Sequence, residues 1–316
     1  MTQSSLPTVS IVMATYNGER FLREQLDSII AQTYSIYELI IQDDCSNDST
    51  KSIIEEYASK YSFIHAYHNE TNLGFKKNFE TACAHATGEY IAFSDQDDIW
   101  LPNHIEVLVN LIGDKSLACG NALLVDSENQ DLGFTLQQEH KMTYIPSDDI
   151  KKAYKIFYGN GCYQGASMLV RRKSLKAMLP IPDGVKYHDI WITTNACLFD
   201  GMNYTNSIIT RYRQHDKNVT SHFKPSIYKE LIRHTHTDFM PDRVDLCKAL
   251  SNMNPRPDSL AFLKEFKLYA TRHTLLKYRW WCWRFRSRHY KDIYCTKSNK
   301  YKLLRAVQYL LTPSCN

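Results

Sequence analysis

Asp95, Asp97 and Asp98 stand within four residues, Asp95-Gln96-Asp97-Asp98, directly after the apolar run Tyr90 to Phe93. Carboxylates this close repel one another unless a cation or a proton intervenes. Two of them sharing a divalent cation is Mg²⁺ or Mn²⁺ chemistry, because hard cations take oxygen ligands and complete their shell with substrate phosphates. The competing reading is a solvated acidic turn, with an aspartate capping the helix that Pro102 opens. Position favours the metal, since two other apolar runs also end in polar groups: Val9 to Ala14 in Thr15-Tyr16-Asn17, and Tyr37 to Gln42 in Asp43-Asp44. No strand run leads into Gly-x-Gly-x-x-Gly or a P-loop, which argues against dinucleotide oxidoreductases and P-loop ATPases. A nucleotide diphosphate would then be held through the metal, with Tyr16 free to stack on a base and Asp44 to accept from a pyrimidine imide.

The elements that must carry these groups alternate. Val9 to Ala14 is a short apolar run closed by Tyr16-Asn17-Gly18, and suits a buried strand. Phe21, Leu22, Gln25, Leu26, Ile29 and Ile30 keep helical spacing, and Tyr37 to Gln42 returns to strand character. A helix capped near Asp48-Ser49-Thr50, a strand near Phe63 to Tyr67, a helix near Lys76 to Ala86 and a strand over Tyr90 to Ser94 follow. A helix from Pro102 and a strand over Leu117 to Val125 continue the pattern, 126–155 reads as loops, and Gly165 to Val170 reads as one more strand before a short basic helix. Such alternation predicts an α/β doubly wound sheet, whose ligands sit beyond the carboxyl ends of the strands. Past residue 222 the segments read as helices, with Leu260, Leu263, Phe266, Leu275 and Leu276 as candidate buried positions.

With 316 residues, 43% of them hydrophobic, the chain can build one or two packed domains. Nine scattered cysteines without a Cys-x-x-Cys pair suggest buried thiols rather than a disulfide framework or a zinc site. No run reaches the ~18 apolar residues of a membrane span, and Met1 to Ser5 has no leader character, so the expected location is the cytoplasm. The net charge of +4 is uneven, since 271–305 holds eleven Lys/Arg against Asp292 alone.

Taken in order, Val9 to Asn17, Glu38 to Asp44 with Ser46 to Thr50, Asn72-Leu73-Gly74, Gly88 to Asp98 and Tyr187-His188-Asp189-Ile190-Trp191 resemble the inverting, nucleotide-sugar-dependent glycosyltransferases of family 2. The resemblance implies a glycosyltransferase A-type mixed sheet over 1–222, with a nucleotide-sugar half (1–125) and an acceptor half (126–222), followed by a helical, basic and aromatic region (223–316). It also implies that Thr15, Tyr16, Asn17, Asp43, Asp44 and Asp95 bind the donor nucleotide. Asp97, with Asp95, Asp98 and His215, would hold Mg²⁺ or Mn²⁺, and Asp189 would be the base. Arg213, His188 and Trp191 would serve the diphosphate or the acceptor, His188 alternatively orienting a loop and Trp191 alternatively lying in the core. Ser94 to Trp100, His188 to Trp191 and Arg213-Gln214-His215 are most similar to a subset that includes rhamnosyltransferases of bacterial surface polysaccharide assembly. Many relatives place glycine where this chain has Cys45, which puts the turn after Asp44 in question. A nucleotidyltransferase and a non-catalytic nucleotide-sugar-binding protein are the alternatives.

The expected partners are a nucleotide-sugar donor (dTDP-rhamnose or a UDP-hexose) and a glycan or lipid-linked acceptor. Residues 272–290 interleave cations with Trp280, Trp281, Trp283 and Phe285. That pattern suits an anionic membrane face, here the cytoplasmic face of the inner membrane. The alternatives are packing onto the catalytic domain and, least expected, nucleic acid.

Overall fold

The computed structural model describes residues 6–140, 142, 145–157, 162–216, 218, 240–272 and 279–288. Among them, β1 (Val9–Thr15), β2 (Glu38–Asp43), β3 (Ile64–His68) and β4 (Tyr90–Ser94) are parallel neighbours in the order β3-β2-β1-β4. β5 (Ile99–Trp100), β6 (Leu117–Val125), β8 (Met168–Arg171) and β9 (Met202–Arg213) extend the sheet as β4-β8-β6-β9-β5, and β7 (Asp131–Thr135) pairs with β6. β8 runs antiparallel to both β4 and β6. The sheet is therefore mixed, as a glycosyltransferase A-type sheet requires. Register sets Thr15 opposite Asp43 and Met13 opposite Ser94, so Tyr16, Asp44 and Asp95 leave the sheet at one edge.

The helices form where the apolar spacing demands. α1 (Leu22–Ile30) buries Leu22, Gln25, Leu26 and Ile29, α2 (Thr50–Lys60) buries Thr50, Ile53, Ile54 and Tyr57, and α3 (Phe75–His85) buries Asn78, Phe79, Ala82 and Cys83. α4 (His104–Ile112) starts two residues after Pro102. The expectation of loops over 126–155 is corrected: β7, α5 (Leu136–Glu139), closed by a Thr135–Gln138 capping box, and α6 (Asp149–Phe157) lie there. β7 is largely exposed, so its residues lack the apolar alternation that marks a strand. Gly165–Ser167 is a 3₁₀ turn, and only Met168–Arg171 is strand. β9 escaped notice because its first half is polar and partly exposed, bulging against β6.

α7 (Arg172–Met178) and α8 (His188–Leu198) complete the body. α9 (Met240–Asn252) and α10 (Pro257–Arg272) pack Leu246, Leu250, Leu263 and Phe266 into the same hydrophobic cluster as the sheet, while Leu260 is half-buried. Leu275, Leu276 and the boundary near 222 lie outside the described residues. Arg256 and Ser259 donate to the last carbonyls of α8 and its C-cap, Cys197, Leu198 and Phe199, at 3.3, 2.7 and 3.1 Å. These are the groups a helix end leaves unpaired. Cys45, Cys83, Cys119, Cys162, Cys197 and Cys247 are free, and all of these but Cys45 are buried.

Cys45 adopts φ 64°, the left-handed conformation that glycine takes without a clash. The turn after β2 is thus kept, at a steric cost. Cys45→Gly should raise stability by about 1 kcal/mol, read from the midpoint of denaturant unfolding; an unchanged or lowered midpoint would show that the turn carries no strain.

Candidate active site

The turns after β1 and β2 are sewn together by the polar groups that end those strands. Buried Asp43 accepts from Thr15 Oγ1 (3.0 Å) and from the amide and hydroxyl of Ser46 (2.9 and 2.5 Å). Asn17 Oδ1 accepts from the Asn47 amide at 3.0 Å, and the Asn17 amide donates to Ser46 Oγ at 2.9 Å. Asp44, also buried, takes Asn69 Nδ2 and the Leu73 amide on one oxygen and the Gly74 amide on the other, each at 2.8 Å. Thr15, Asn17, Asp43 and Asp44, expected at the donor nucleotide, thus spend these side-chain groups on holding the loops of the two turns. Tyr16 differs, with 46% of its surface exposed at the crevice. Gln96 fixes its backbone from both sides, accepting from its amide at 2.8 Å and donating to its carbonyl at 3.0 Å. Only glycine at 18 admits this, since a Cβ there would lie 2.2 Å from Gln96 Oε1.

The three aspartates after β4 meet three environments. Asp98 is fully buried, accepting from the Arg213 amide (3.0 Å) and Gln164 Nε2 (3.3 Å), so it ties β9 and the 164 loop to β5 and is not an open ligand. Burial, then the charges of Asp97 and Asp95, push its carboxyl well above the usual range. Asp97 Oδ2 lies 2.8 Å from His215 Nε2, and His215 stacks on Phe21 with ring centroids 4.9 Å apart. Asp95 is pushed up to about 7 by burial and by the charges of Asp97 and Asp189. Asp189, in the first turn of α8, lies near enough for its charge to act on Asp95.

Asp189 is itself raised, first by burial, against the Ile190 amide that its Oδ1 accepts from and the positive charge of Arg243. Arg243 sits on α9, so the C-terminal helices reach this end of the site. His188 is buried among Phe75, Phe79 and Phe93, with neither ring nitrogen hydrogen-bonded, and burial keeps its imidazole neutral. A Cβ at Gly165 would come within 2.6 Å of its Nε2. Trp191 is core rather than an acceptor platform, as its Nε1 donates to Met178 O at 2.6 Å. Arg213 is likewise committed: 1% exposed, it pairs with Glu24 and donates to the carbonyls of Asp97 and Ser127 at 2.9 and 2.7 Å. Asn218 closes the turn at His215, accepting from its amide at 2.6 Å, and Val219 lies outside the described residues.

One grip had no sequence signal. Lys76 Nζ, on α3, donates to the carbonyls of Pro182, Asp183 and Val185 at 3.2, 3.3 and 3.1 Å. Glu80, one turn on, accepts from the Ile181 amide at 2.7 Å. Phe75 stacks on Tyr187. One face of α3 thereby holds the loop that leads to Asp189, while Asp44 holds the loop that leads into α3. A lysine and a glutamate one turn apart look in sequence like any solvated helix face.

Among the described residues no three His, Cys, Asp or Glu side chains stand together as a ready metal cluster. Asp97 and His215 supply one oxygen and one nitrogen side by side, with Asp95 two residues away. That donor set suits a divalent cation whose remaining positions substrate phosphates fill.

Residues 10–179 match the profile of glycosyl transferase family 2. The chain is 33% identical over 138 residues to UDP-Glc:alpha-D-GlcNAc-diphosphoundecaprenol beta-1,3-glucosyltransferase WfgD of Escherichia coli, covering 43% of this chain and 53% of the relative. Matches to other curated relatives span from 27% to 81% of their length. The fold is similar to that of S. aureus TarS in complex with UDP-GlcNAc (TM-score 0.60, 18% identity, 96% of this chain and 81% of TarS 1-349). It is also similar to the mannosyltransferase PcManGT of Pyrobaculum calidifontis with GDP-Man and Mn²⁺ (TM-score 0.57, 16% identity, 98% and 81%).

Two measurements probe this geometry. Asp95 keeps its proton up to about pH 7 when folded but only to about 3.9 when unfolded. The stability this supplies is complete below the unfolded value and is lost as pH rises through 7. In cation-free buffer the melting temperature of the wild type should therefore fall relative to Asp95→Asn between about pH 5 and about pH 8; parallel curves would mean that Asp95 ionises normally. Lys76→Met should speed amide hydrogen exchange across 181–187 by about tenfold or more while α1 is unaffected, and unchanged exchange there would remove Lys76 from its assigned place.

Proposed function

On the premise that this chain belongs to glycosyl transferase family 2, we propose that it is an inverting enzyme moving a sugar from a nucleotide diphosphate donor to a glycan acceptor in cell-surface polysaccharide synthesis. The observation that carries this reading is the Asp97–His215 pair beside Asp95 at the carboxyl end of the parallel strands, within electrostatic reach of Asp189.

Tyr16, open at the end of β1, would stack on the nucleotide base, and Asp95 would bind the donor nucleotide beside it. Asp189 takes the proton of an acceptor hydroxyl as that oxygen bonds to the anomeric carbon. The bond from that carbon to the diphosphate oxygen breaks on the opposite face and leaves its electron pair on the diphosphate, so the configuration inverts. Burial favours this role, since a carboxylate whose proton affinity is raised is the stronger base. Asp97 and His215 would hold Mg²⁺ or Mn²⁺, which as a Lewis acid offsets the charge of the leaving diphosphate. His188, neutral and walled by phenylalanines, positions Asp189 through the backbone of the first turn of α8.

The donor is proposed to be dTDP-rhamnose or a UDP-hexose, and the acceptor a lipid-linked oligosaccharide. The diphosphoundecaprenol acceptor in the name of WfgD supports the second proposal, and the UDP-GlcNAc complex of TarS supports a uridine nucleotide. Work on such an acceptor would place the protein at the cytoplasmic face of the inner membrane. Among the described residues no helix is long and apolar enough to cross a membrane.

Incubation with a panel of nucleotide sugars and Mg²⁺ or Mn²⁺, with and without membrane lipid extract, should release one nucleotide diphosphate. Release should stop with chelator and in Asp97→Ala. Asp189→Asn should keep donor binding and lose about 10²- to 10⁴-fold in transfer; full transfer by that variant would refute the base, and release insensitive to chelator would refute the metal.

A further inference from the structure

α11 (Arg279–Arg288) reads Arg-Trp-Trp-Cys-Trp-Arg-Phe-Arg-Ser-Arg, and the whole stretch 272–290 holds six Lys/Arg and no acid. Trp281 packs against the central hydrophobic cluster and fixes the helix to the body. Trp280 is 63% exposed, and its ring stacks on Trp283 with centroids 4.8 Å apart. Arg284 and Arg288 follow Trp280 at successive turns and are exposed. With Trp281 and Glu265 of α10 they line a cleft of about 210 Å³. Glu265 pairs with Arg288 at 3.1 Å, whereas Arg284 has no carboxylate partner among the described residues. The transfer chemistry uses none of these groups.

A stacked indole pair whose outer member, Trp280, is exposed and whose inner member, Trp283, is half-buried, beside a guanidinium that no carboxylate of the described residues neutralises, fits one kind of surface. Indoles prefer the headgroup layer of a bilayer, and guanidinium groups take phosphate in paired hydrogen bonds. We infer that α11 docks the protein on an anionic phospholipid bilayer, with Trp280 and Trp283 in the headgroup layer and the cleft at Arg284 and Arg288 taking a lipid phosphate. A single nucleic-acid strand would need open indole faces for its bases, and Trp280 and Trp283 already cover one face of each other. Because α11 is packed on the body through Trp281, docking would also hold the catalytic crevice at a set height above the lipid.

The test uses the full chain and sedimenting vesicles of phosphatidylcholine, alone or mixed with phosphatidylglycerol. Donor and acceptor are omitted, so failure of the transferase reading leaves this result untouched. Binding should need phosphatidylglycerol and weaken with salt. Arg284→Glu, which changes the local charge by two, should lower the partition coefficient by about tenfold or more, since one basic side chain contributes roughly fivefold at an anionic surface. Trp280→Ala should weaken it several-fold and Trp280→Phe much less, with thermal unfolding unchanged in all three. Equal binding to both vesicles, wild-type partition of Arg284→Glu, or tighter binding to a single-stranded oligonucleotide lost in the same variants would each overturn the inference.

Discussion

Three carboxylates at the end of one strand repel more strongly the drier their surroundings become. The structure answers this repulsion separately for Asp95, Asp97 and Asp98. Asp98 is taken inside and given the Arg213 amide and the Gln164 side chain. Asp97 is set against His215. Asp95 is left to hold its proton to about 7. Only β9 and its turn supply both Arg213 and His215, which explains why a strand more than a hundred residues later must pair with β5, the strand that follows the acids. The charge arrangement at the crevice and the order of strands in the sheet are thus one constraint.

α3 links the two halves of that crevice. Its first turn is tied to Asp44 through the Leu73 and Gly74 amides. Its outer face holds the 181–187 loop through Lys76, Glu80 and Phe75. From the other side, Arg256 and Ser259 cap the far end of α8, and Arg243 brings a positive charge toward Asp189 at the near end. Asp189 is therefore positioned by groups from α3, α9 and α10 that make no part of any motif. A base held from several sides keeps its geometry better than one on a free loop, and misplacement of about 1 Å can cost a hundredfold in rate.

Alternation of apolar runs with helical spacing was enough to read the parallel half of the sheet, since buried parallel strands are nearly all apolar and leave little ambiguity. The antiparallel half was less legible. β7 and much of β9 face solvent, so their composition resembles that of loops. The acids after β4, the exposed Tyr16 and Asp189 in the first turn of α8 were visible as residues of the right type at the ends of elements.

What sequence could not decide was which polar group faces in and which faces out. Thr15, Asp43 and Asp44 share the turns with Tyr16, yet only Tyr16 is open, because the Thr15–Asp43 hydrogen bond and those of Asp44 to Asn69 and the 73–74 amides arise only once distant segments meet. Arg213 and Trp191 were withdrawn from the site by the same cause, as packing found them buried partners. Residue type and local spacing determined the kind of chemistry and the strands that carry it. The free valence of each group was decided by tertiary structure alone, since a side chain's partners lie tens to nearly two hundred residues away.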